Sequence, residues 1–248
     1  MNVDHMLDSV RRHLGNSSRT PSVSEFLPLK QTLKSARAAG LPLADYIDQK
    51  FGHHEIGPSP TDQTIQGMAR FGIFDSHLKA ICEIGPGSGR YLERTIVRSG
   101  ATNYEIYETA AEWRDWLVAQ YQVTAKKCDG HTLSETASAS MGLVQAHKVF
   151  PALPFLVTVS YFREMARVVQ PNGWIVFDIF TESCVTPPRV QAWFDSDIFA
   201  WSWSPQLVSR EFATKFFADY AISLAGSFLV PLYPGVTECL LFRKNQLT

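Results

Sequence analysis

The segment 81–90, with the sequence ICEIGPGSGR, limits the fold of this 248-residue chain more than any other feature. Apolar residues and an acid, Glu83, precede glycines at three alternate positions, and the next residues favour a helix ending near Gly100. The pattern predicts a buried strand that turns sharply into a helix. Glycine allows such a turn and lets a ligand approach without meeting a Cβ atom. Backbone N–H groups and the positive end of the helix dipole would then face that ligand.

The spacing of the glycines narrows the identity of the ligand. A dinucleotide-binding turn has the pattern G-x-G-x-x-G, but the third glycine of this chain, Gly89, comes one residue early and Arg90 follows it. Another nucleotide-binding α/β turn remains an alternative. The sequence from Glu83 to Gly89 resembles the first motif of the class I S-adenosylmethionine-dependent methyltransferases. That resemblance implies cofactor contacts by the residues of the motif, which are Glu83, Gly85, Pro86, Gly87 and Gly89.

Polar groups also follow the next three predicted strands. Residues 104–108 form a strand pattern that ends in Glu108, about 20 residues after Gly89, where doubly wound folds carry the acid that holds ribose hydroxyls. A third strand over 123–127 precedes Asp129, and a fourth over 142–147 ends at His147. Because ligands of such folds bind outside the carboxyl ends of the strands, we expect these groups to face one ligand.

The resemblance implies S-adenosylmethionine as the cofactor and assigns roles around it. In the methyltransferases that this chain resembles, an acid after the third strand meets the adenine amine, which places Asp129 and Gly130 at the adenine. Thr109 is predicted to open a capping box over 109–112, and Trp113 lies in the helix that follows. Both complete the predicted cofactor-binding set.

The rest of the chain fits an α/β fold. Pro171, Asn172 and Gly173 end a predicted helix, and the sequence over 163–173 resembles the late motif of the same methyltransferases. We therefore predict a doubly wound, mostly parallel seven-stranded sheet, the Rossmann-like methyltransferase fold, with the resemblance covering about 79–243. The elements predicted after the fourth strand are helix 155–170, strand 174–180, helix 209–220 and a hairpin of 221–232 with 236–243.

Residues 1–78 lack strand alternation and are predicted to form a helical segment before a methyltransferase domain at 79–248. The helices are expected at 27–39, 43–51 and 60–71, after a polar loop at 16–22. Two roles are open for this segment. It contributes to the acceptor pocket, or it covers the sheet.

A long segment at 181–208 is rich in aromatic residues, which argues against disorder. Its aromatic side chains form either a satellite hydrophobic cluster or a flat wall for an acceptor, and flat aromatic faces suit sugar rings. The residues concerned are Trp193, Phe194, Phe199, Trp201 and Trp203.

His147 is the predicted catalytic residue, because imidazole titrates near neutral pH and a hydroxyl acceptor needs a base. A structural or cofactor-contacting role for His147 is the alternative. His53, His54 and His131 are weaker candidates. No metal is predicted, since strand-end capping or hydrogen bonding to the substrate explains Asp178 and Glu182 better than metal binding does.

Composition limits the partners and the compartment. The formal net charge is −1 and no run of Lys or Arg occurs, which disfavours nucleic-acid binding. Four scattered cysteines without a C-x-x-C pair predict buried free thiols in a reducing compartment. No signal peptide or membrane-spanning apolar run is evident, so a cytoplasmic location without membrane association is expected.

Together these features predict a methyltransferase that acts on a hydroxyl group of a small molecule. A sugar or glycosylated metabolite is favoured by the aromatic segment and by a loose resemblance to sugar O-methyltransferases around residues 147–150. The alternatives are a lipid or polyketide hydroxyl, or a catalytically silent cofactor-binding partner protein. A nicotinamide oxidoreductase fits poorly, and a homodimer is left open.

Overall fold

The computed structural model describes residues 27–52, 57–75, 78–195, 205–232 and 235–246. The helices of these ranges are α1 (Leu29–Ala38), α2 (Leu43–Gly52), α3 (Pro60–Arg70), α4 (Arg90–Ser99), α5 (Ala111–Gln120), α6 (Phe155–Val168), α7 (Pro187–Asp195) and α8 (Arg210–Ala218), with a 3-10 turn at Phe150–Ala152. The strands are β1 (Ala80–Ile84), β2 (Asn103–Tyr107), β3 (Thr124–Ala125), β4 (Met141–Ala146), β5 (Val169–Ile179), β6 (Ile222–Leu232) and β7 (Gly235–Lys244).

The strands form one seven-stranded sheet in the order β3-β2-β1-β4-β5-β7-β6. Strands β1 to β5 are parallel, whereas β7 runs antiparallel to both β5 and β6. The order changes direction between β1 and β4, which is the topological switch point where doubly wound folds bind ligands. The predicted fold class is confirmed. In the described ranges, no helix has the length and apolarity needed to cross a membrane.

Each face of the sheet is covered by helices, which explains the nearly continuous apolar sequence of the central strands. On one face, Ile84 and Phe177 pack with Phe162 of α6 and Phe217 of α8. On the other face, Ile81 and Leu143 pack with residues of α3, α4 and α5. Because consecutive strand residues point to opposite faces, Glu83 and Gln145 lie on the same face as Ile81.

Helices α2 and α3 pack against α4, α3 also packs against the edge strand β6, and α1 packs on α2. The hydroxyl of Ser59 accepts a hydrogen bond from the N–H of Asp62 and caps α3, which begins at Pro60 where the sequence predicts a helix start. Gly67 of α3 lies against the ring of Phe228 in β6, where a Cβ atom would come within 2.2 Å. A bulkier residue at position 67 would therefore push α3 away from β6. Division of the chain at residue 78 into two units remains a prediction.

The local structure departs from the sequence expectations at two places. Strand β3 has two residues instead of five. After it, the N–H of Lys126 still donates to the carbonyl of Ile106 in β2, and the N–H of Lys127 donates to the Glu135 carboxylate. The capping box at 109–112 is wrong. Ala110 caps α5 without a side-chain hydrogen bond, and the N–H of Ala110 donates to Glu108 instead.

The turn after α6 is where the sequence places it, although it lies inside the extended segment of β5. Helix α6 ends at Val168, and β5 pairs with β4 through Val169 and again from Trp174. The residues between them bulge out of register around Asn172, whose φ of 59° is left-handed.

The aromatic segment contains α7, which the sequence does not predict. Trp193 of α7 is buried and packs edge-on against Phe180, with ring centroids 5.2 Å apart. Trp193 therefore belongs to a satellite cluster of the core, which was one of the two expectations. Several predicted features lie outside the described residues: the loop at 16–22, His53, His54, Phe199, Trp201, Trp203 and the tip of the β6–β7 hairpin.

Candidate functional site

The turn between β1 and α4 has the backbone that its glycines predict. Gly85, Gly87 and Gly89 have φ angles of 61°, 53° and 80°, and the N–H of Gly85 donates to the carbonyl of Tyr107 over 2.8 Å. A Cβ atom on Gly85 would lie 2.7 Å from Val149 Cγ2. Both the left-handed backbone and the lack of space therefore require glycine at position 85.

Glu108 joins this turn to the loop after β2. One carboxylate oxygen accepts from the Gly87 N–H at 2.8 Å and the other from the Ala110 N–H at 2.7 Å. The side chain is 4% exposed, and burial raises the pKa of Glu108 although the backbone N–H groups oppose that shift. The Thr109 hydroxyl lies 3.5 Å from the oxygen that the Ala110 N–H meets, a long contact, whereas the other oxygen has a second lone pair without a described donor. The group can therefore also accept bonds from ligand hydroxyls such as those of a ribose.

The loop after β3 lies beside this carboxylate. Gly130 has a φ of 85°, and a Cβ atom there would be 4.0 Å from Thr109 Cγ2. The loop after β2 and the loop after β3 are therefore neighbours. Asp129 caps its own turn by accepting from the N–H groups of His131 and Thr132. Desolvation acts in the opposite direction, but the bonds from Thr132 and His131 lower the pKa of Asp129 to about 2. His131 is exposed beside Asp129.

Two predicted cofactor residues have polar groups that point into the protein. The carboxyl of Glu83 is 1% exposed, accepts from the Tyr104 hydroxyl and accepts from Gln145 Nε2 at 3.0 Å. The indole of Trp113 is fully buried, and its Nε1 donates to the carbonyl of Leu27 at 2.8 Å. The structure thus brings together the glycine turn, Glu108, Thr109 and Gly130, and gives the polar groups of Glu83 and Trp113 interior partners. Cofactor contacts by these residues remain predictions.

His147 follows β4 at the switch point and is 5% exposed. Its ring stacks on the ring of Tyr91, with centroids 4.5 Å apart and an angle of 24° between the planes. Burial lowers the pKa of His147 to about 4, although the negative charge of Asp178 opposes this change. At neutral pH the imidazole is therefore uncharged.

The residue after His147, Lys148, forms a buried ion pair with Asp178. Lys148 has a left-handed φ of 60°, and its N–H donates to Asp178 Oδ1 at 2.6 Å. Lys148 Nζ lies 3.0 Å from Asp178 Oδ2, to which the Thr237 hydroxyl also donates at 2.6 Å. Since a left-handed backbone costs a non-glycine residue about 1 kcal/mol or more, these bonds stabilise the chain reversal after His147.

The carboxylates considered for a metal have protein partners. Asp178 is held by Lys148 and Thr237, and Glu182 accepts from the N–H of Arg210 at 3.4 Å. No cluster of three metal-ligating side chains occurs among the residues that the structure describes.

Sequence reasoning missed three residues at this site. Tyr91 stacks on His147, the guanidinium of Arg90 lies 5.1 Å from the Tyr91 ring centroid, and Arg90 Nη1 lies 2.9 Å from Asp48 Oδ1. Arg90 was visible only as the bulky residue that breaks the dinucleotide pattern. Tyr91 has the sequence context of an ordinary residue in the first helical turn, because the His147 ring on which it stacks lies far along the chain.

Comparisons with known proteins identify the fold. An O-methyltransferase family protein from Burkholderia thailandensis superposes with a TM-score of 0.57 and 12% identity over 89% of this chain and 68% of that chain. A methyltransferase from Methanosarcina mazei gives 0.56 and 11% identity over 69% and 95%. The N-methyltransferase NodS from Bradyrhizobium japonicum, in complex with S-adenosyl-L-homocysteine, gives 0.53 and 12% identity over 75% and 88%.

At the level of sequence, no protein-family model and no curated protein matches the chain. The structural likeness, at identities of 11–12%, establishes the fold. That fold is the one of class I S-adenosylmethionine-dependent methyltransferases, as the glycine motif predicts.

Proposed function

We propose that this chain is an S-adenosylmethionine-dependent methyltransferase that acts on a hydroxyl group of a small molecule, with a sugar or glycosylated metabolite as the acceptor. One observation carries the proposal. The Glu108 carboxylate meets the Gly87 N–H, 2.8 Å away, beside the switch point of a sheet with methyltransferase strand order. A buried acid beside a glycine turn at this place suits an adenosyl group, whose ribose needs hydrogen-bond acceptors.

The residues present fit the cofactor. The backbone of Gly85 and Gly87 would lie against it, Glu108 would hold the ribose hydroxyls, and the loop with Thr109 and Gly130 would flank the adenine. S-adenosylmethionine, when bound, supplies a methyl group on a positively charged sulfur. The chain binds and orients the acceptor and excludes water, which can account for much of the acceleration of such a transfer.

In this proposal His147 is the base that accepts the proton of the acceptor hydroxyl. A hydroxyl oxygen that gains a methyl group becomes positively charged, so its proton is strongly acidic at that stage. A weak, neutral base is then sufficient, and the lowered pKa of His147, about 4, keeps it neutral. Asp178 favours the protonated ring, because its charge raises the pKa of His147 against the effect of burial.

Replacing Glu108 by glutamine tests the cofactor site. Glutamine keeps one acceptor oxygen but loses the charge, so the affinity for S-adenosylhomocysteine is expected to fall about tenfold to a hundredfold. Isothermal titration measures the change, and a parallel titration with NAD⁺ tests the oxidoreductase alternative. Glu112→Gln, an exposed acid in the first turn of α5, is the matched control and should bind as the unchanged chain does. Equal affinities for the two variants would contradict the role of Glu108.

Replacing His147 by glutamine tests the base. Purified protein is incubated with S-adenosylmethionine and extract of its source cells, and mass spectrometry identifies the metabolite that gains a methyl group. For that acceptor, kcat of His147→Gln is expected to fall about a hundredfold with S-adenosylhomocysteine binding intact. His131→Gln, at an exposed histidine, is the control. Cofactor binding without turnover over a broad acceptor panel would favour a silent partner protein over an enzyme.

A further inference from the structure

The stacked pair of Tyr91 and His147 carries polar atoms for which the described part of the chain supplies no partner. Tyr91 is 3% exposed and His147 is 5% exposed. The Tyr91 hydroxyl and both ring nitrogens of His147 have no hydrogen-bond partner among the described residues. Buried polar groups are nearly always hydrogen-bonded, because leaving one unpaired forfeits its hydration without compensation. Three such atoms on two adjacent rings indicate that a ligand or ordered water completes the site.

The chemistry of these atoms restricts the ligand. A neutral imidazole offers one donor and one acceptor, and a phenol hydroxyl can both donate and accept. A carboxylate only accepts and an ammonium group only donates, so either would leave part of the pair unsatisfied. Hydroxyl groups do both. Because the ring centroids are 4.5 Å apart, one small molecule can reach both polar groups.

The charges around the pair are balanced, which argues against a charged ligand. The side chains whose charges act on His147 are Asp178, Lys148 and Arg90. Lys148 pairs with Asp178 at 3.0 Å, and Arg90 pairs with Asp48 at 2.9 Å. An acidic or a cationic acceptor would therefore enter a buried place where each neighbouring charge already has its partner.

We propose that Tyr91 is a substrate-positioning residue and that Tyr91 and His147 together bind two neighbouring hydroxyl groups of a neutral polyol. The pair selects neutral acceptors with adjacent hydroxyls over their acidic and amino counterparts. This inference rests on the proposed methyltransferase function and adds to it the charge of the acceptor and the residue that recognises the second hydroxyl.

The test uses the full chain saturated with S-adenosylhomocysteine. The probes are methyl glycosides of neutral hexoses and pentoses, the matching uronic acids and amino sugars, and deoxy analogues lacking one hydroxyl of a neighbouring pair. Saturation-transfer NMR measures their binding. We expect neutral glycosides to bind, with deoxy analogues, uronic acids and amino sugars bound more weakly. Preferred binding of a charged probe, or binding of no neutral glycoside, overturns the proposal.

Tyr91→Phe removes the hydroxyl and keeps the ring that stacks on His147. The affinity for a neutral glycoside is expected to fall about three- to tenfold, the effect of one hydrogen bond. The affinity for S-adenosylhomocysteine should not change, and the melting temperature should not fall, since the hydroxyl has no described protein partner. Tyr220→Phe, at a partly exposed tyrosine just after α8, is the matched control. A lower melting temperature with unchanged glycoside binding would show a structural hydroxyl and refute the proposal.

These results separate the two hypotheses. If the unchanged chain does not bind S-adenosylhomocysteine, the proposed methyltransferase function is refuted. Intact cofactor binding together with indifference of glycoside binding to Tyr91→Phe would refute the polyol site alone.

Discussion

Replacing Asp48 by alanine is expected to lower the free energy of unfolding by about 3 kcal/mol, the lower end of the range for breaking a buried ion pair. Asp48 is 1% exposed and accepts from the Thr61 hydroxyl at 2.6 Å and from Arg90 Nη1 at 2.9 Å. Arg94 Nη2 lies 3.3 Å from its other oxygen. Alanine would leave the buried Thr61 hydroxyl and the Arg90 guanidinium without this partner. Arg90 is 18% exposed, and partial solvation keeps the loss at the lower end.

Urea unfolding followed by circular dichroism measures the loss. Asp45→Ala is the matched control, because Asp45 also pairs with Arg94, at 3.0 Å, but is 54% exposed. Its removal should change stability by less than about 1 kcal/mol. Similar losses in both variants would contradict a special role of the buried aspartate. Asp48→Asn keeps an acceptor oxygen for the Thr61 hydroxyl, so its loss of stability is expected to lie between those of Asp48→Ala and Asp45→Ala.

The cluster around Asp48 connects the N-terminal helices to the candidate site. Asp48 belongs to α2, whereas Arg90 is the first residue of α4, directly after the glycine turn, and precedes Tyr91. Packing of α2 therefore holds the residue next to the stacked pair. This arrangement supports the expectation that the segment before residue 78 contributes to the acceptor pocket, which remains a proposal.

Local sequence predicted the parts of the fold that depend on local chemistry. The turn at 85–89 needs a left-handed backbone, which only glycine adopts readily. The glycine pattern therefore predicts the turn without any information on tertiary contacts. The same holds for the start of α3 at Pro60. The failed capping box at Thr109 shows the limit. The carboxylate of Glu108, which comes from the preceding strand end, takes the Ala110 N–H that a local cap would have left open.

The parts of the site that the sequence did not predict depend on contacts between segments that are distant in the chain. Tyr91 and His147 meet because α4 and the end of β4 flank the same switch point, and neither residue alone signals that contact. The bonds from Lys148 and Thr237 to Asp178 likewise join the ends of β4, β5 and β7. Hydrophobic periodicity indicates which face of an element is buried, but it does not indicate which polar groups meet at its end.

Glu83 is the second residue for which a large effect is expected, and the effect depends on pH. Burial raises the pKa of Glu83 from 4.5 to about 7, whereas the bonds from Tyr104 and Gln145 oppose that change and the charge of Glu108 adds to it. Between these two values the folded chain holds a proton that the unfolded chain has released. Stability from this group is therefore greatest below pH 4.5 and is lost as the pH rises through about 7. A difference of this size corresponds to about 3 kcal/mol.

Glu83→Gln should remove this pH dependence and stabilise the chain in alkaline solution. Glutamine resembles the protonated carboxyl and keeps an acceptor oxygen for the Tyr104 hydroxyl and for Gln145 Nε2. Relative to the unchanged chain, the free energy of unfolding of the variant is expected to be about 3 kcal/mol higher near pH 8.5 and within about 1 kcal/mol near pH 5.

Urea unfolding at the two pH values provides both differences, and the contributions of His147 and the other titrating groups cancel between the two proteins. Glu112→Gln, at an exposed acid on α5, should show no such change with pH. A Glu83→Gln variant that is less stable than the unchanged chain near pH 8.5 would show that the ionised carboxylate stabilises the fold. The interior contacts of Glu83 would then favour its charged form.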